Sequence, residues 1–339
     1  MNEVKVSIII PVYKAEKYIS RCLDSVIHQT CGEYEVIAID DGTPDDSGKI
    51  CDAYAEKYPV LKVFHQKNIG VTRTREVGIT KARGEYIVWV DSDDSAAPNL
   101  VESVIQAVER SHADIILYGV KSYGNGQAVN VQIPRKEPMR EIRRKAITGE
   151  YSTLWRFAVR RSFWVDEKAP GEMERSAADG YMAIRMFMKA ETVDVVEKPL
   201  YNYLDDNPGS IRHTFNGKRY MGNFYLWYYR LHICEKEFKD LCLHCASRAF
   251  SGAVKAYSMS LVLNDLPEKY CEELVEAIRY LKKYPIPGRW RDKFLGWCIL
   301  HHIEGPCKRY ALHKIEKTKK LNNSNFAHGK HPVCLDKSA

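Results

Sequence analysis

Two short acidic segments hold the residues of this chain that are best suited to chemistry. Asp40 and Asp41 lie in VIAIDDGT, and Asp91, Asp93 and Asp94 lie in VWVDSDD. Five carboxylates brought together repel one another unless something positive lies between them, and a divalent cation with oxygen ligands is the natural partner. Because such a cation also binds a diphosphate, the two segments predict a metal site for a phosphorylated ligand.

Each aspartate taken alone has a simpler interpretation, as a residue that caps the first backbone amides of a helix. Asp45 or Asp46 precedes one predicted helix, and Asp93 or Asp94 precedes another. Capping needs one acceptor per helix, whereas these segments each hold several carboxylates. We therefore favour a ligand site over a pair of helix caps.

The elements around the acidic segments alternate between short β-rich runs and amphipathic stretches, which is typical of an α/β fold with a doubly wound, mostly parallel sheet. The predicted strands cover residues 6–12, 34–40, 60–66, 85–91 and 113–120, and the predicted helices cover 15–30, 46–58, 71–82 and 98–111. Such sheets bind ligands beyond the carboxyl ends of their strands. The acidic segments follow the second and fourth strands, and Pro11-Val12-Tyr13 ends the first.

The glycine-rich loops of common nucleotide-binding folds are absent from the sequence. No GxGxxG follows the first strand, where the chain reads PVYKAEKYI, and no GxxxxGK[ST] occurs anywhere. Dinucleotide-binding and P-loop folds are therefore disfavoured. The same absence weakens an alternative function, that of a sugar nucleotidyltransferase.

The regular alternation fades after a predicted turn at 123–127. Residues 135–175 mix charge, Pro and Gly, which predicts loops with short helices. A helix is predicted over 178–190, a short β pair over 193–204, and successive helices from about residue 216 onward.

We expect three parts in the chain: a catalytic domain over 1–212, a helical region over 213–320 and a flexible tail over 321–339. No stretch approaches the roughly 20 apolar residues of a membrane-spanning helix, and the start of the chain lacks the cleavage site of a signal peptide. The expected location is the cytoplasm.

The formal net charge of +7 is uneven, because Lys and Arg crowd residues 135–145 and 308–320. This asymmetry indicates anionic partners, but no nucleic-acid motif accompanies it, and we expect no nucleic acid. Residues 305–320 have two interpretations. A solvated helix end is the simpler one, and a basic helix lying on an anionic membrane is the other.

Ten cysteines are scattered through apolar patterns, and we expect them to be mostly buried thiols. One group of them raises the question of zinc, because it contains a CxxC pair with histidines nearby. The group consists of Cys234, Cys242, Cys245, Cys271, His232 and His244. Because an i,i+3 spacing also suits a packed helix face, we favour the structural interpretation.

Four ordered blocks of this sequence resemble the family 2 glycosyltransferases. They are VSIIIPVYKAEKYISRCLDSVIHQT, VIAIDDGTPDDS, NIGVTRTREVGITKARGEYIVWVDSDD and, more weakly, PLYNYLDDNPGSI. The resemblance implies a GT-A fold, a nucleoside diphosphate sugar donor that is usually a UDP-sugar, Mg²⁺ or Mn²⁺, and inversion at the anomeric carbon. It also implies an acceptor hydroxyl on a carbohydrate or lipid-linked sugar, as in the synthesis of surface polysaccharides or glycolipids.

The resemblance assigns roles to residues that would bind the nucleotide. Pro11 and Tyr13 would line the nucleobase pocket, with the Tyr13 ring against the base. Asp41 would accept a hydrogen bond from the base, and Asp40 would support the same loop. Arg75 falls where the family places an arginine close to the nucleotide, and its alternative is a surface residue on an exposed helix.

The resemblance assigns further roles around the metal and the acceptor. Asp91 would face the ribose and the metal, Ser92 would lie with it at the donor, and Asp93 would coordinate the cation that bridges the phosphates. Asp179 would be the base that takes the proton of the acceptor hydroxyl. Without the resemblance, Asp179 is interpreted as a helix cap.

Three positions depart from the pattern of the family. Glu76 stands where Asn is common, Leu204 where Arg often follows the Tyr-rich strand, and Ala178 where an acidic residue usually precedes the base. An inactive relative that still binds nucleotide sugars or carbohydrate therefore stays open as an alternative to the transferase.

Overall fold

The computed structural model describes residues 3–124, 127–164, 177–204, 217–286 and 290–327. The chain forms two compact units. The first consists of residues 1–167 and 182–206, and the second of residues 168–181 and 207–339. The second unit therefore contains the segment 168–181 in addition to the helical region expected from residue 213.

The described part of the first unit contains one nine-stranded sheet. Its strands are β1 (Val6–Val12), β2 (Tyr34–Asp40), β3 (Leu61–His65), β4 (Tyr86–Trp89), β5 (Ser95–Ala96), β6 (Ile115–Gly124), β7 (Gln127–Gln132), β8 (Phe157–Arg160) and β9 (Val193–Leu204). Their order is β3-β2-β1-β4-β8-β6-β9-β5, with β7 beside β6. The pairs β3-β2, β2-β1, β1-β4 and β6-β9 are parallel, which confirms the predicted α/β class.

The helices flank this sheet in the first part of the chain and succeed one another in the last part. The described helices are α1 (Ile19–Ile27), α2 (Ser47–Lys57), α3 (Val71–Lys81), α4 (Leu100–Ser111), α5 (Met139–Thr148), α6 (Ala178–Lys189), α7 (Gly217–Glu237), α8 (Cys242–Leu263), α9 (Glu268–Leu281), α10 (Trp290–Leu300) and α11 (Glu304–Ala327). The helix α11 therefore continues into the segment expected as a tail, and residues 328–339 lie outside the described residues.

Burial on both faces of the sheet explains why the central strands show no alternation of polar and apolar residues. Every residue of β1 and β2 is buried. On one side, α1 contributes Cys22 and Val26 of the predicted apolar face. On α3, Gly78 permits close approach to the sheet, because an added Cβ would overlap the side chain of Ile9. Strands covered on both faces are nearly continuous apolar runs, as in other parallel sheets.

Two strands differ from the prediction. β8 lies in the stretch predicted as loops, and its four residues insert antiparallel between β4 and β6. A run so short is below the length at which periodicity identifies a strand. β9 is one strand rather than the predicted pair, and its pairing with β6 is irregular where Gly119 faces Pro199. Proline cannot donate a ladder hydrogen bond, so the strand continues with a shifted register.

Within the described residues, no helix combines the length and the apolar character that crossing a bilayer requires.

The buried carboxylate of Glu35 joins the strands at the end of the sheet where β2 begins. It accepts hydrogen bonds from Ser7 Oγ at 2.9 Å, from Arg83 N at 2.7 Å and Arg83 Nε at 2.9 Å, and from Lys62 Nζ at 3.2 Å. Burial alone would raise the pKa of Glu35, but these hydrogen bonds outweigh it and the pKa is lowered. The carboxylate thus stabilises the register of β1, β2 and the turn before β4.

We expect Glu35→Gln to lower the free energy of unfolding at pH 7 by about 2 kcal/mol, because charge-assisted hydrogen bonds from two cations are weakened. Since the folded pKa is lowered, this stabilisation is present above the pKa of the unfolded carboxyl and is lost as the pH falls through the folded value. Urea unfolding followed by circular dichroism between pH 7 and pH 4 should therefore show the wild type and the variant converging in acid. Glu109→Gln, which removes a solvent-exposed partner of Lys5, is the control, and an equal loss in both variants would contradict the assignment.

Candidate functional site

Asp41 directly follows β2 and holds the loop that leads from β3 to α3. Its Oδ1 accepts hydrogen bonds from Gln66 Nε2 at 2.8 Å and from Ile69 N at 2.9 Å, and its Oδ2 accepts one from Gly70 N at 2.9 Å. An ionised carboxylate offers about four acceptor positions, so the chain itself occupies most of them. Asp41 therefore shapes the loop beside the expected nucleobase pocket, and its hydrogen bond to a base stays a prediction.

Asp40 supports the same end of β2. Its Oδ1 accepts a hydrogen bond from Thr43 N at 2.9 Å, and its Oδ2 lies 2.9 Å from Nδ1 of His65, whose Nε2 lies 3.0 Å from Oδ1 of Asp52. The hydrogen bonds to Asp40 and Asp52 raise the pKa of His65. Gly48 is required in α2 here, because an added Cβ would lie 2.7 Å from Asp40 Oδ2.

Tyr13 presents an accessible aromatic ring where β1 ends. Its side chain is 44% exposed, while Pro11 is buried within the strand. The next residue, Lys14, has a positive φ of 52° and donates a backbone hydrogen bond to Thr43 Oγ1 at 2.8 Å. The segments after β1 and β2 are thus joined, and the Tyr13 ring is free of the core and suited to stacking on a planar ligand.

Arg75 and Asp91 form an ion pair at the end of β4. Arg75 Nη2 lies 2.7 Å from Asp91 Oδ1, and the two side chains are 4% and 27% exposed. The alternative that placed Arg75 on an exposed helix surface is therefore wrong. The arginine both orients Asp91 and offsets its charge, and its contact with a nucleotide stays a prediction.

Asp94 is buried and bonded to the last strand of the sheet. Its Oδ2 accepts a hydrogen bond from Tyr201 OH at 2.6 Å, and its Oδ1 accepts one from Leu204 N at 2.7 Å. The same Tyr201 hydroxyl accepts a hydrogen bond from Asp91 N at 3.2 Å. Burial, together with the charges of Asp93 and Asp91, raises the pKa of Asp94 well above its usual range.

The sequence analysis did not identify Tyr201 as a site residue. It lies 107 positions from Asp94, and the only signal was its place in the weakly matching block PLYNYL. Pairing of β5 with β9 places Ala96 opposite Tyr201, and the ring of Trp155 stacks on Tyr201 at 4.8 Å. The short strand β5 thus brings the hydroxyl to the acidic turn.

The backbone of the acidic turn is also held by α1. Arg21 Nη2 donates a hydrogen bond to the carbonyl of Asp93, and Cys22 Sγ donates one to the carbonyl of Asp91 at 3.6 Å. The side chains of Ser92 and Asp93 are only partly buried. The turn therefore has a fixed backbone and presents Ser92 and Asp93 at a partly accessible edge.

The five aspartates do not surround one cation as the sequence analysis expected. Among the residues that the structure describes, no three His, Cys, Asp or Glu side chains are placed to hold a metal ion. The physical reason is that Asp40 and Asp41 are bonded within their own loops and Asp94 is bonded to Tyr201. Only Asp91 and Asp93 keep the side-chain exposure that a ligand needs.

Asp46 is the residue before α2, but its side chain makes no capping hydrogen bond, whereas the preceding Asp45 bonds the first residue of the helix. Asp45 Oδ1 accepts hydrogen bonds from the backbone N of Ser47 at 3.2 Å and from its Oγ at 2.6 Å, at the start of α2. The helix α4 is preceded by Asn99 instead, so neither Asp93 nor Asp94 is its cap.

Asp179 lies in the first turn of α6, which begins one residue earlier at Ala178. This turn is closely packed in the second unit. An added Cβ on Gly180 would lie 2.7 Å from Leu226 Cδ2, and the rings of Tyr181 and Tyr229 are 4.8 Å apart. Residues 165–176, which precede this helix, lie outside the described residues. The role of Asp179 as a base stays a prediction.

The cysteine group of the second unit is a packed helix contact. Cys234 Sγ on α7 lies 3.7 Å from Cys245 Sγ on α8, and both residues are fully buried. The hydrogen bond between these thiols and their burial raise the pKa of Cys234. Most of the described cysteines are buried, as predicted, and the pair Cys234 and Cys245 belongs to the packing between two helices.

Comparisons with known proteins agree with this geometry. Residues 7–165 match the family described as Glycosyl transferase family 2. The uncharacterized glycosyltransferase EpsJ of Bacillus subtilis is 33% identical over 218 residues, which cover 61% of this chain and 62% of that protein. The match therefore spans less than two thirds of that relative.

Two solved structures show the same fold. The structure of S. aureus TarS 1-349 in complex with UDP-GlcNAc has a TM-score of 0.61 at 19% identity and covers 91% of this chain and 92% of its own. The mannosyltransferase PcManGT from Pyrobaculum calidifontis, in complex with GDP-Man and Mn²⁺, has a TM-score of 0.51 at 14% identity and covers 92% of this chain and 88% of its own. The likeness to TarS includes the C-terminal helical region.

We expect Tyr201→Phe to lower the free energy of unfolding by about 1–3 kcal/mol, because the buried Asp94 loses a hydrogen-bond donor and Asp91 N loses its acceptor. Thermal unfolding followed by circular dichroism measures this loss. Tyr118→Phe, which removes a buried hydroxyl that makes no hydrogen bond with the described residues, is the control. Equal stability of Tyr201→Phe and the wild type would contradict the role of the Tyr201 hydroxyl in holding the acidic turn.

Proposed function

Because residues 7–165 belong to glycosyl transferase family 2 and the chain has the GT-A fold, we propose that this protein transfers a sugar from a nucleoside diphosphate sugar, most often a UDP-sugar, to an acceptor hydroxyl with inversion at the anomeric carbon. The observation that carries this proposal is the acidic turn 91–94. In this turn Arg75 forms an ion pair with Asp91, and Tyr201 donates a hydrogen bond to Asp94, so the two carboxylates have different environments.

The acidic turn is suited to a divalent cation that also binds a diphosphate. Arg75 offsets the charge of Asp91, and Asp94 is buried with its two oxygens bonded to Tyr201 and Leu204. Asp93 is then the carboxylate of the turn with the best combination of charge and accessibility. Mg²⁺ is usually bound through one or two carboxylates with substrate phosphates as further ligands, so a cage of three protein side chains is not needed.

We infer the following roles from these positions. The Tyr13 ring stacks on the base. Asp91 is held by its ion pair with Arg75 and faces the ribose. Asp93 and Asp91 would hold Mg²⁺ or Mn²⁺. When bound, the cation would offset the charge that develops on the leaving diphosphate. Asp179 accepts the proton of the acceptor hydroxyl. At the same time the hydroxyl oxygen bonds to the anomeric carbon, and the bond between that carbon and the diphosphate breaks.

The proposed acceptor is a hydroxyl of a carbohydrate or a lipid-linked sugar, as in the synthesis of surface polysaccharides or glycolipids. Protein complexes of the two structural neighbours with UDP-GlcNAc and with GDP-Man support a nucleotide sugar as the donor. A lipid-linked acceptor would bring the protein to the cytoplasmic face of the membrane as a peripheral protein.

We expect Asp93→Asn to lower turnover of the preferred nucleotide sugar by roughly 100-fold or more, because charge stabilisation of the leaving group is lost. The assay measures release of the nucleoside diphosphate from a panel of UDP-, GDP- and dTDP-sugars with Mn²⁺ and candidate acceptors. Asp46→Asn removes an exposed aspartate that pairs with Lys49 and should leave turnover unchanged. Full turnover by Asp93→Asn would refute the metal assignment.

We expect Asp179→Asn to lower kcat by about 10²–10⁴ while the Kd for the nucleotide sugar stays the same, because a general base acts on the acceptor and not on the donor. Turnover and isothermal titration calorimetry with the donor measure the two effects separately. Glu237→Gln, at an exposed position at the end of α7, is the control. Loss of donor binding in Asp179→Asn would show that the residue acts on the donor and not only on the acceptor. Unchanged kcat would exclude it as the base.

A further inference from the structure

One face of α10 is aromatic and exposed to solvent. Trp290, Phe294 and Trp297 are 77%, 38% and 47% exposed. Together with His301, which follows the helix, their spacing places them on one side of it. The rings also contact one another in sequence, with centroids 5.5 Å apart for Trp290 and Phe294, 6.4 Å for Phe294 and Trp297, and 4.6 Å for Trp297 and His301. We call these four residues the aromatic face.

The other side of α10 is fixed to the core of the second unit. Leu295, Cys298 and Ile299 are buried. Gly296 permits close packing on α8, because an added Cβ would lie 2.5 Å from the ring of Phe250. Since the buried side already anchors the helix, the aromatic face is not needed for packing within the described part of the unit.

The surroundings of the aromatic face are basic. Residues 290–318 contain six Lys and Arg against three Asp and Glu, and also three His. Lys293 is exposed and shares the side of the helix that carries Trp290 and Trp297. On the following helix α11, Arg309 is exposed and Leu312 is 49% exposed. The aromatic face therefore has one exposed cation on its own side of α10, and a further exposed cation lies on the next helix.

We propose that the aromatic face of α10 docks on the surface of an anionic lipid bilayer. Trp is favoured at the boundary between headgroups and acyl chains, where its ring is buried and its N–H stays hydrated. The cations beside it would lie against anionic headgroups. Tryptophans on one side of a helix with Lys and Arg nearby are typical of helices that lie in this interface.

The charge of the patch disfavours a second copy of the chain as the occupant. A two-fold contact places the same surface of each copy against the other, so the cations of both copies would be brought together. An anionic bilayer has the complementary charge. The docking surface differs from the sequence expectation, because it is centred on the aromatic face of α10 and not on the segment 305–320.

The test measures binding of the full chain to sucrose-loaded vesicles of phosphatidylcholine and phosphatidylglycerol in a 7:3 ratio, by co-sedimentation. We expect binding that weakens with added salt and with removal of the anionic lipid. Trp290→Ala combined with Trp297→Ala should weaken binding by roughly tenfold or more, because the apolar area that enters the interface is lost. Unchanged thermal unfolding is expected for this variant, since both side chains are exposed.

The matched control combines Val129→Ser with Val131→Ser. These residues are 61% and 50% exposed on β7 in the first unit, and their replacement should leave binding unchanged. Absence of binding to anionic vesicles at low salt would overturn the proposal, as would an equal loss in the control. If sedimentation velocity shows a dimer that the tryptophan variant loses, the face belongs to a second copy and the proposal is overturned. None of these residues has a role in the proposed transfer reaction, so these outcomes are independent of it.

Discussion

The crowding of negative charge in the turn 91–94 is the constraint on which the site depends. Three carboxylates within four residues repel one another, and the fold relieves the repulsion before any ligand binds. Arg75 offsets one charge, while burial raises the pKa of Asp94, which accepts a hydrogen bond from Tyr201. Asp93 is left as the accessible carboxylate, and α1 holds its backbone carbonyl through Arg21.

The residues that reduce this repulsion come from parts of the first unit that are far apart in sequence. The arginine comes from α3, the hydroxyl comes from β9, and the two-residue strand β5 aligns β9 beside the turn. At the end of β2, Asp40 and Asp41 use their carboxylates differently, as acceptors that hold neighbouring loops. At the opposite end of the sheet, Glu35 does the same for the strands. Several buried acidic residues of this unit therefore organise the backbone around them.

In the second unit, the contacts of each helix face determine which residues are buried and which are exposed. Cys234 and Cys245 meet because α7 packs on α8. The helix α10 buries one side on α8 and leaves an aromatic side exposed. In the sequence WRDKFLGWCIL these two sides are interleaved, so the pattern alone did not separate core residues from surface residues.

The sequence by itself determined the α/β class and the positions of β1 and β2. Those features depend on local runs of apolar residues and on blocks that resemble a family, both of which are present in short stretches of the chain. Only the tertiary structure decided that β8 inserts into the sheet, that Tyr201 bonds Asp94, and that the five aspartates have separate roles. Hydrogen bonds join residues up to 110 positions apart here, and which acid is buried, paired or exposed depends on those distant partners.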